Sequence, residues 1–381
     1  MRPLAVLGVT GSIGVQTLDV ARQLGIAVVG IAARRGTEDL IRLARQWPDA
    51  AVVVSAPNDE ARRRCEQELG SRVSFGPAAV AALAATPDTI IVNGIVGAAG
   101  LEPSMAAAAA GNRIALANKE SLVAGGDVLA AAAAASEAEI IPVDSEHSAL
   151  WQCLVGETNS VRRLILTASG GPFRGRTRDS LADVAVADAL AHPTWAMGAR
   201  ITVDSSTLMN KAFEVIEAHY LFGVDYDDID VVVHPQSIVH SMVEFIDGSL
   251  KAQLGDPDMR LPIQYAICYP ERAAVEDRNF DITRQDLTFE PPDPATFRLL
   301  GIGYAAGRKA GSAPAVLNAA DEVAVAAFLE GKIGYLDIEA IVEHCLEVVE
   351  WRPMSTVDDV LAADAEARTV AHERVVSMAA T

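Results

Sequence analysis

At 381 residues the chain exceeds what one hydrophobic core organises, and with half its residues hydrophobic and 22% charged it reads as two or three globular domains. Its formal charge of −20 argues against nucleic acid as a partner, since a polyanion would be repelled, but leaves room for a small phosphorylated ligand in a local basic pocket. Four scattered cysteines (Cys65, Cys153, Cys268 and Cys345) form no close-spaced pair, which argues against a zinc site or a disulfide framework and fits a reducing compartment.

The first element is the apolar run "LAVLGV", which passes straight into glycines without a signal-peptide cleavage pattern. In "GVTGSIG", Gly8, Gly11 and Gly14 fall between that strand and a helix beginning near Ile13. Glycines admit the backbone to a pyrophosphate, and a helix N-terminus offers N–H groups and the positive end of its dipole. The spacing is not the strict G-x-G-x-x-G form, and a plain tight turn is the alternative. The strand before it and the helix after it favour the nucleotide. The second strand, "IAVVGIAA", ends at Arg34, Arg35 and Gly36, where an NAD-binding chain tends to carry an acid for the ribose hydroxyl. Two guanidiniums suit a 2′-phosphate instead, so NADPH is expected, with a solvated arginine pair as the alternative.

The runs "AAVVVS", "TIIVNGIV", "RIALAN" and "EIIPV" then alternate with Ala- and Leu-rich helices. This pattern gives an α/β, Rossmann-like doubly wound parallel sheet, a nucleotide-binding domain over residues 1–143. The Ala/Gly-rich stretch from Ile90 to Ala117 is interrupted by Asn93, Glu102, Pro103, Asn112 and Arg113, so no membrane span is expected and the protein reads as soluble and cytoplasmic.

After "EIIPV" comes "DSEHSALW". Side chains at i and i+2 of a strand share a face, so Asp144 and Glu146 are expected to point the same way from a strand's end. Two ionised carboxylates in a low-dielectric cleft need a proton or a cation between them, and hard oxygen donors suit Mg²⁺ or Mn²⁺. An exposed, solvated pair is the alternative. "LILTASGGPF" is a strand and a glycine turn of the kind whose N–H groups bind phosphate. "AHPTWAMGAR", with His192, Trp195, Met197 and Gly198, has the makings of a lid, or of a surface loop with one packed Trp. "SSTLMNKAFEVIEAHYLF" reads as one long helix, apolar around most of its circumference, with Asn210, Lys211 and Glu214 in a narrow polar stripe. Such a stripe is commonly a wet face. Its mixture of amide, ammonium and carboxylate also offers a third acid for a metal and, with Ser169 and Ser205, donors for an anion. "DVVVHPQSIVHSMVEFIDGSLKAQLG" alternates across an Asp247-Gly248 turn as antiparallel sheet, so residues 144–268 are expected as an α+β catalytic domain. The polar, proline-bearing stretch 269–294 is the expected linker, and 295–381 reads as a helical C-terminal domain.

In order along the chain, "TGSIGVQTLDV", "NGIVGAAGLEPS", "LANKESLV", "PVDSEHSALWQ", "LTASGGPF", "HPTWAMGARITVDSSTLMNKAFEVIEAHYLF", "HPQSIVHSMVEF", "AQLGDPDMRLPI" and "LNAADEVAVAAFL" closely resemble the 1-deoxy-D-xylulose 5-phosphate reductoisomerase family, over essentially the whole length. The resemblance implies a metal-dependent rearrangement of that sugar phosphate by retro-aldol cleavage and re-aldolisation. Reduction by NADPH to 2-C-methyl-D-erythritol 4-phosphate follows, within non-mevalonate isoprenoid biosynthesis. It implies Asp144, Glu146 and Glu214 as metal ligands, and Ser169, Ser205, Asn210 and Lys211 as the phosphate's partners. Lys119, Ser145 and His192 would be further substrate contacts, with Lys119 catalytic alongside the three acids. Thr10, Gly11, Ser12, Ile13, Asn118, Glu120 and Gly198 would line the cofactor. Arg34, Arg35 and Gly36 stand where family members often show Gly-Lys-Asn, so positive charge is kept. A homodimer is implied, through the sheet near His234 to Leu254. Two other readings are weaker. An acylating dehydrogenase would need a poised cysteine, and none of the four lies in a glycine-rich or basic motif. A catalytically silent NADPH-binding regulator would have no reason to keep Asp144, Glu146, Glu214 and Lys211 together.

Overall fold

The β-branched runs and the Ala-rich stretches separate cleanly into strands and helices. In chain order these are β1 (Leu4–Leu7), α1 (Ser12–Leu24), β2 (Val28–Ala33), α2 (Glu38–Gln46), β3 (Ala51–Val54), α3 (Asp59–Leu69), β4 (Val73–Phe75), α4 (Pro77–Ala84), β5 (Ile90–Asn93), α5 (Leu101–Ala109), β6 (Arg113–Leu116), α6 (Lys119–Ser136), β7 (Ile140–Pro142) and α7 (Ser145–Leu154). Then come β8 (Val161–Ala168), α8 (Val186–Ala189), α9 (Ala199–Thr207), α10 (Met209–Phe222), β9 (Ile229–Val233), β10 (Val239–Phe245), β11 (Leu250–Leu254), α11 (Arg260–Cys268), α12 (Arg298–Lys309), α13 (Ala313–Leu329), α14 (Asp337–Val348) and α15 (Val357–Ala379). The structure is a computed structural model that describes residues 1–157, 160–195, 197–274 and 280–379. Residues 275–279 of the expected linker and residue 196 of the expected lid lie outside the described residues.

The chain divides into two compact units. The first takes in residues up to Ser121, Leu129–Ser148 and the described residues from Asp258 to 274. Among the described residues its strands form a seven-stranded parallel sheet in the order β4-β3-β2-β1-β5-β6-β7. Every residue of β1 and β5 is buried, as strands covered on both faces require. The order reverses between β1 and β5, the switch point beside which open α/β sheets place their ligands. Of these strands β4 escapes the sequence pattern. It is a three-residue edge strand with no fully buried side chain, so it carries no hydrophobic signature. Helix α11 packs on α1 within this unit, although it falls inside the stretch expected as catalytic domain.

The second unit contains Leu122–Val128, the described residues of Ala149–Pro257, and those beyond 279. Its sheet has the order β11-β10-β8-β9. β10 runs antiparallel to both β8 and β11, as the Asp247-Gly248 turn suggests. β9, however, is parallel to β8, because the chain returns through α9 and α10 rather than through a hairpin. The core joins Leu164 and Leu166 of β8, Phe213 and Ile216 of α10, and Leu317 and Phe328 of α13.

Two local expectations are corrected. β7 ends at Pro142 and Ser145 opens α7, so Glu146 lies in a helical first turn and the strand argument for the Asp144–Glu146 pair does not apply. The physical reason is capping: Asp144 Oδ1 accepts the Glu146 N–H at 3.3 Å, and its carbonyl accepts the Ser148 N–H at 2.8 Å. The single long helix expected over "SSTLMNKAFEVIEAHYLF" is two helices. Leu208 adopts a left-handed conformation, φ 62°, that ends α9 and starts α10 while its side chain is buried in the core. No helix among the described residues is long and apolar enough to cross a membrane.

Candidate active site

In the first unit the turn from β1 into α1 is built by close backbone approach. Gly8 has φ 79°, and a Cβ there would lie 2.5 Å from the Gly94 carbonyl oxygen. A Cβ on Gly14 would lie 2.4 Å from Val9 Cα, so α1 can meet the sheet this closely only with hydrogen at that position. Thr10, Gly11 and Ser12 are exposed and Ile13 half-buried, and α1 opens with no side-chain cap on its first N–H groups. That is an anion cradle. Arg34 and Arg35 are exposed just beyond β2, and Gly36 is buried where a Cβ would press on the Cys65 Sγ of α3 at 2.6 Å. The cradle and the guanidiniums together fit a phosphorylated dinucleotide.

Asn118, Lys119 and Glu120 follow β6 at the carboxyl end of the sheet. Asn118 is buried and accepts the Ser121 N–H, capping α6. Its amide donates to the carbonyls of Ile95 and Gly97 at 2.7 and 3.0 Å and to Glu120 Oε2 at 2.7 Å. The Asn118 side chain therefore shapes the loop after β5, a supporting part that the sequence pattern did not specify. Lys119 Nζ stands 2.9 Å from Asp144 Oδ2 with both groups largely buried. Ser145 Oγ donates to Glu146 Oε2 at 2.5 Å. His147, fully buried with Nδ1 3.6 Å from Asp144 Oδ1, is a neighbour that sequence reasoning missed, since one His on a helix carries no pattern.

In the second unit β8 ends in the glycine turn. The Gly171 N–H donates to Ser169 Oγ at 3.2 Å, and a Cβ on Gly171 would lie 2.9 Å from the Ser205 carbonyl. His192 joins the two serines: its Nε2 is 3.0 Å from Ser169 Oγ and 3.2 Å from Ser205 Oγ. Its Nδ1 accepts the backbone N–H groups of Thr194 and Trp195 at 3.2 and 2.9 Å. The ring is thereby fixed as the tautomer with hydrogen on Nε2, and burial holds its pKa below the ordinary value. Gly198, exposed, precedes α9.

The polar stripe on α10 is not a wet face. Lys211 is 4% exposed and Glu214 1%. The Lys211 ammonium hydrogen-bonds Glu214 Oε2, and the Asn210 amide donates to Oε1 at 2.6 Å. Lys and Glu are almost never buried to this degree unless paired. Asp144 and Glu146 of the first unit offer carboxylate oxygens, donors that suit Mg²⁺ or Mn²⁺ better than zinc.

One unit built to take a phosphorylated dinucleotide and another built to receive an anion beside a buried acid define the class: a dinucleotide-dependent α/β oxidoreductase. Residues 4–126 match the family model for 1-deoxy-D-xylulose 5-phosphate reductoisomerase, and residues 140–222 and 254–370 match two models of that enzyme's C-terminal domain. The 1-deoxy-D-xylulose 5-phosphate reductoisomerase of Heliobacterium modesticaldum is 50% identical over 98% of this chain and 98% of its own. A solved structure of the Zymomonas mobilis enzyme in complex with NADPH is 39% identical, with TM-score 0.91 and 99% of each chain covered. Another, of a reductoisomerase in complex with NADPH, fosmidomycin and magnesium, is 36% identical with TM-score 0.92, covering 99% of this chain and 98% of that one. The chain belongs to the 1-deoxy-D-xylulose 5-phosphate reductoisomerase family.

Proposed function

We propose that this protein rearranges 1-deoxy-D-xylulose 5-phosphate and reduces the product with NADPH to 2-C-methyl-D-erythritol 4-phosphate, a step of non-mevalonate isoprenoid biosynthesis. One observation carries the reading of the site: Glu214, 1% exposed, is held by an ammonium and an amide on its own helix, an arrangement that folding alone does not require. Half identity with a named reductoisomerase over nearly the full chain supports the reaction.

Asp144, Glu146 and Glu214 would hold a divalent ion, Mg²⁺ or Mn²⁺, which when bound supplies Lewis acidity to the substrate's ketone and neighbouring hydroxyl oxygens. Thr10 to Ile13 would receive the pyrophosphate of NADPH and Arg34, Arg35 and Gly36 its 2′-phosphate, with Asn118, Glu120 and Gly198 completing that site. NADPH supplies the hydride. Ser169, Ser205, Asn210 and Lys211 would take the substrate's phosphate, an anchor remote from the breaking carbon–carbon bond whose binding energy can serve catalysis. His192 holds its proton on Nε2, aimed at the same two serines, so it can donate to an anion there without carrying charge itself. Lys119 and Ser145 would contact the sugar's oxygens. The loop from His192 to Gly198 would cover the site and exclude water. A homodimer through residues 234–254 and a cytoplasmic location belong to the same proposal. β11 is the edge of its sheet, with Leu250 exposed, and sedimentation at micromolar concentration tests the dimer.

The decisive assay follows NADPH absorbance with purified protein. Oxidation is expected only when 1-deoxy-D-xylulose 5-phosphate and Mg²⁺ or Mn²⁺ are both present, and full activity in excess chelator would sink the metal's part.

A further inference from the structure

Three helices of the second unit bring an excess of acid into its interior. α9 contributes Arg200 and Asp204, α13 contributes Asn318, Asp321 and Glu322, and α15 contributes Asp364 and Arg368. The Arg200 guanidinium reaches Glu322 Oε1 at 3.0 Å, Asn318 Oδ1 at 3.1 Å, Asp321 Oδ2 at 3.5 Å and Asp204 Oδ2 at 3.6 Å. Arg368 binds Glu322 Oε2 and Asp364 Oδ2, both at 2.6 Å. Four acids therefore face two guanidiniums. Despite burial, Arg200 and Arg368 together hold Glu322 below its ordinary pKa, and Asp364 has Arg368. Asp204 and Asp321 share the Arg200 guanidinium with Glu322 and Asn318.

These two are 4% and 0% exposed, and each turns an oxygen to the same Arg200 guanidinium, at 3.6 and 3.5 Å, which sets the two carboxyl groups side by side where a hydrogen bond between them can form. An ionised carboxylate can only accept, so such a bond exists only while one of the pair carries a proton. Complete burial first, and then the Asp204 and Glu322 charges against the opposing pull of Arg200, raise Asp321 well above the carboxylate range. Asp204 is followed directly by Ser205, whose hydroxyl meets His192 and whose carbonyl meets the Gly170–Gly171 turn.

We propose that Asp321 is a positioning residue: a protonated carboxyl that donates to Asp204 and, with Arg200, fixes α9 so that Ser205 faces the substrate's phosphate. The kinetic consequence rests on the reading of Ser205 as a phosphate partner. The proton rests on the two carboxyls alone.

The sign of the pH dependence follows from the raised acid. The pair's contribution to stability is complete below the ordinary carboxylate pKa of about 4 and is lost as pH rises through the raised native value. Asp321→Asn places an amide of nearly the same shape there, which donates to Asp204 and cannot titrate. Denaturation midpoints of parent and variant are compared from about pH 5 to about pH 9, and the variant is expected to gain on the parent as pH rises. A difference that stays constant with pH overturns the proton. In steady-state kinetics the parent's KM for 1-deoxy-D-xylulose 5-phosphate is expected to climb about fivefold relative to that of the variant as pH rises through the pair's raised value. Parallel KM profiles overturn the positioning role. Ser205→Ala separates the two readings: an unchanged KM at neutral pH removes Ser205 from the phosphate site, while the stability comparison still decides the proton. If Asp321→Asn does not fold, Asp204→Asn removes the second titrating carboxyl and is expected to give the same loss of pH dependence in both measurements.

Discussion

Glu214 and the arginine pair are where single side chains decide the chemistry. Removing the charge of Glu214 while keeping its shape takes one acid from beside Lys211 and deprives the proposed metal of one ligand. Glu214→Gln is therefore expected to lower kcat about a hundredfold or more, as losing one transition-state charge stabiliser does, with NADPH affinity little changed. A large loss of NADPH binding would instead show that α10 serves the cofactor. Arg34→Ala combined with Arg35→Ala removes both guanidiniums past β2. Each charge-assisted contact with phosphate contributes about 1.5–3 kcal/mol, so NADPH should weaken at least tenfold while NADH is unaffected. An unchanged NADPH-to-NADH ratio would remove the pair from the 2′-phosphate. At this scale the sequence was most legible where chemistry forces unlike residues together, as in Asn210, Lys211 and Glu214. It was silent where one side chain works through a fold it does not specify. Asn118 looks like a cofactor contact in sequence, and only the structure shows its amide divided between two loop carbonyls and Glu120.

Helix ends and turns carry the site at the next scale. The Gly170–Gly171 turn can meet Ser205 closely because Gly171 has φ 64° and no Cβ to strike the Ser205 carbonyl. Gly171→Ala imposes an unfavourable left-handed backbone and a contact that backbone atoms cannot easily relieve. A destabilisation of about 2 kcal/mol is expected, with a raised KM for the sugar phosphate and normal NADPH affinity. A KM equal to that of the parent would show that the turn only closes β8. The parallel strands of the first sheet were readable because both of their faces are buried and their apolar runs are continuous. The break at Leu208 was not, since nothing but tertiary packing places a leucine in a left-handed conformation. Likewise β7 reads as running into Asp144, and the helical turn at Ser145 emerges only once Asp144 is seen to cap it.

For the whole molecule, the proposed metal ligands come from stretches of sequence nearly seventy residues apart, at 144–146 and at 214. Local pattern cannot specify such a pairing, and the resemblance in sequence carried it. A ligand that binds only the native state stabilises it by an amount set by its concentration relative to Kd, about 2.7 kcal/mol at a hundredfold excess. Mn²⁺ should therefore raise the denaturation midpoint of the parent and leave that of Glu214→Gln nearly unmoved, because the unfolded chain holds no such ligand set. NADPH should raise both midpoints equally, since its proposed cradle lies at α1 and beyond β2. This pair of measurements needs no turnover, so it separates loss of the ion from loss of chemistry. Equal stabilisation of parent and variant by Mn²⁺ would place the ion elsewhere among the chain's 51 acidic residues. A variant that NADPH no longer stabilises would mean that the substitution had disturbed the fold itself.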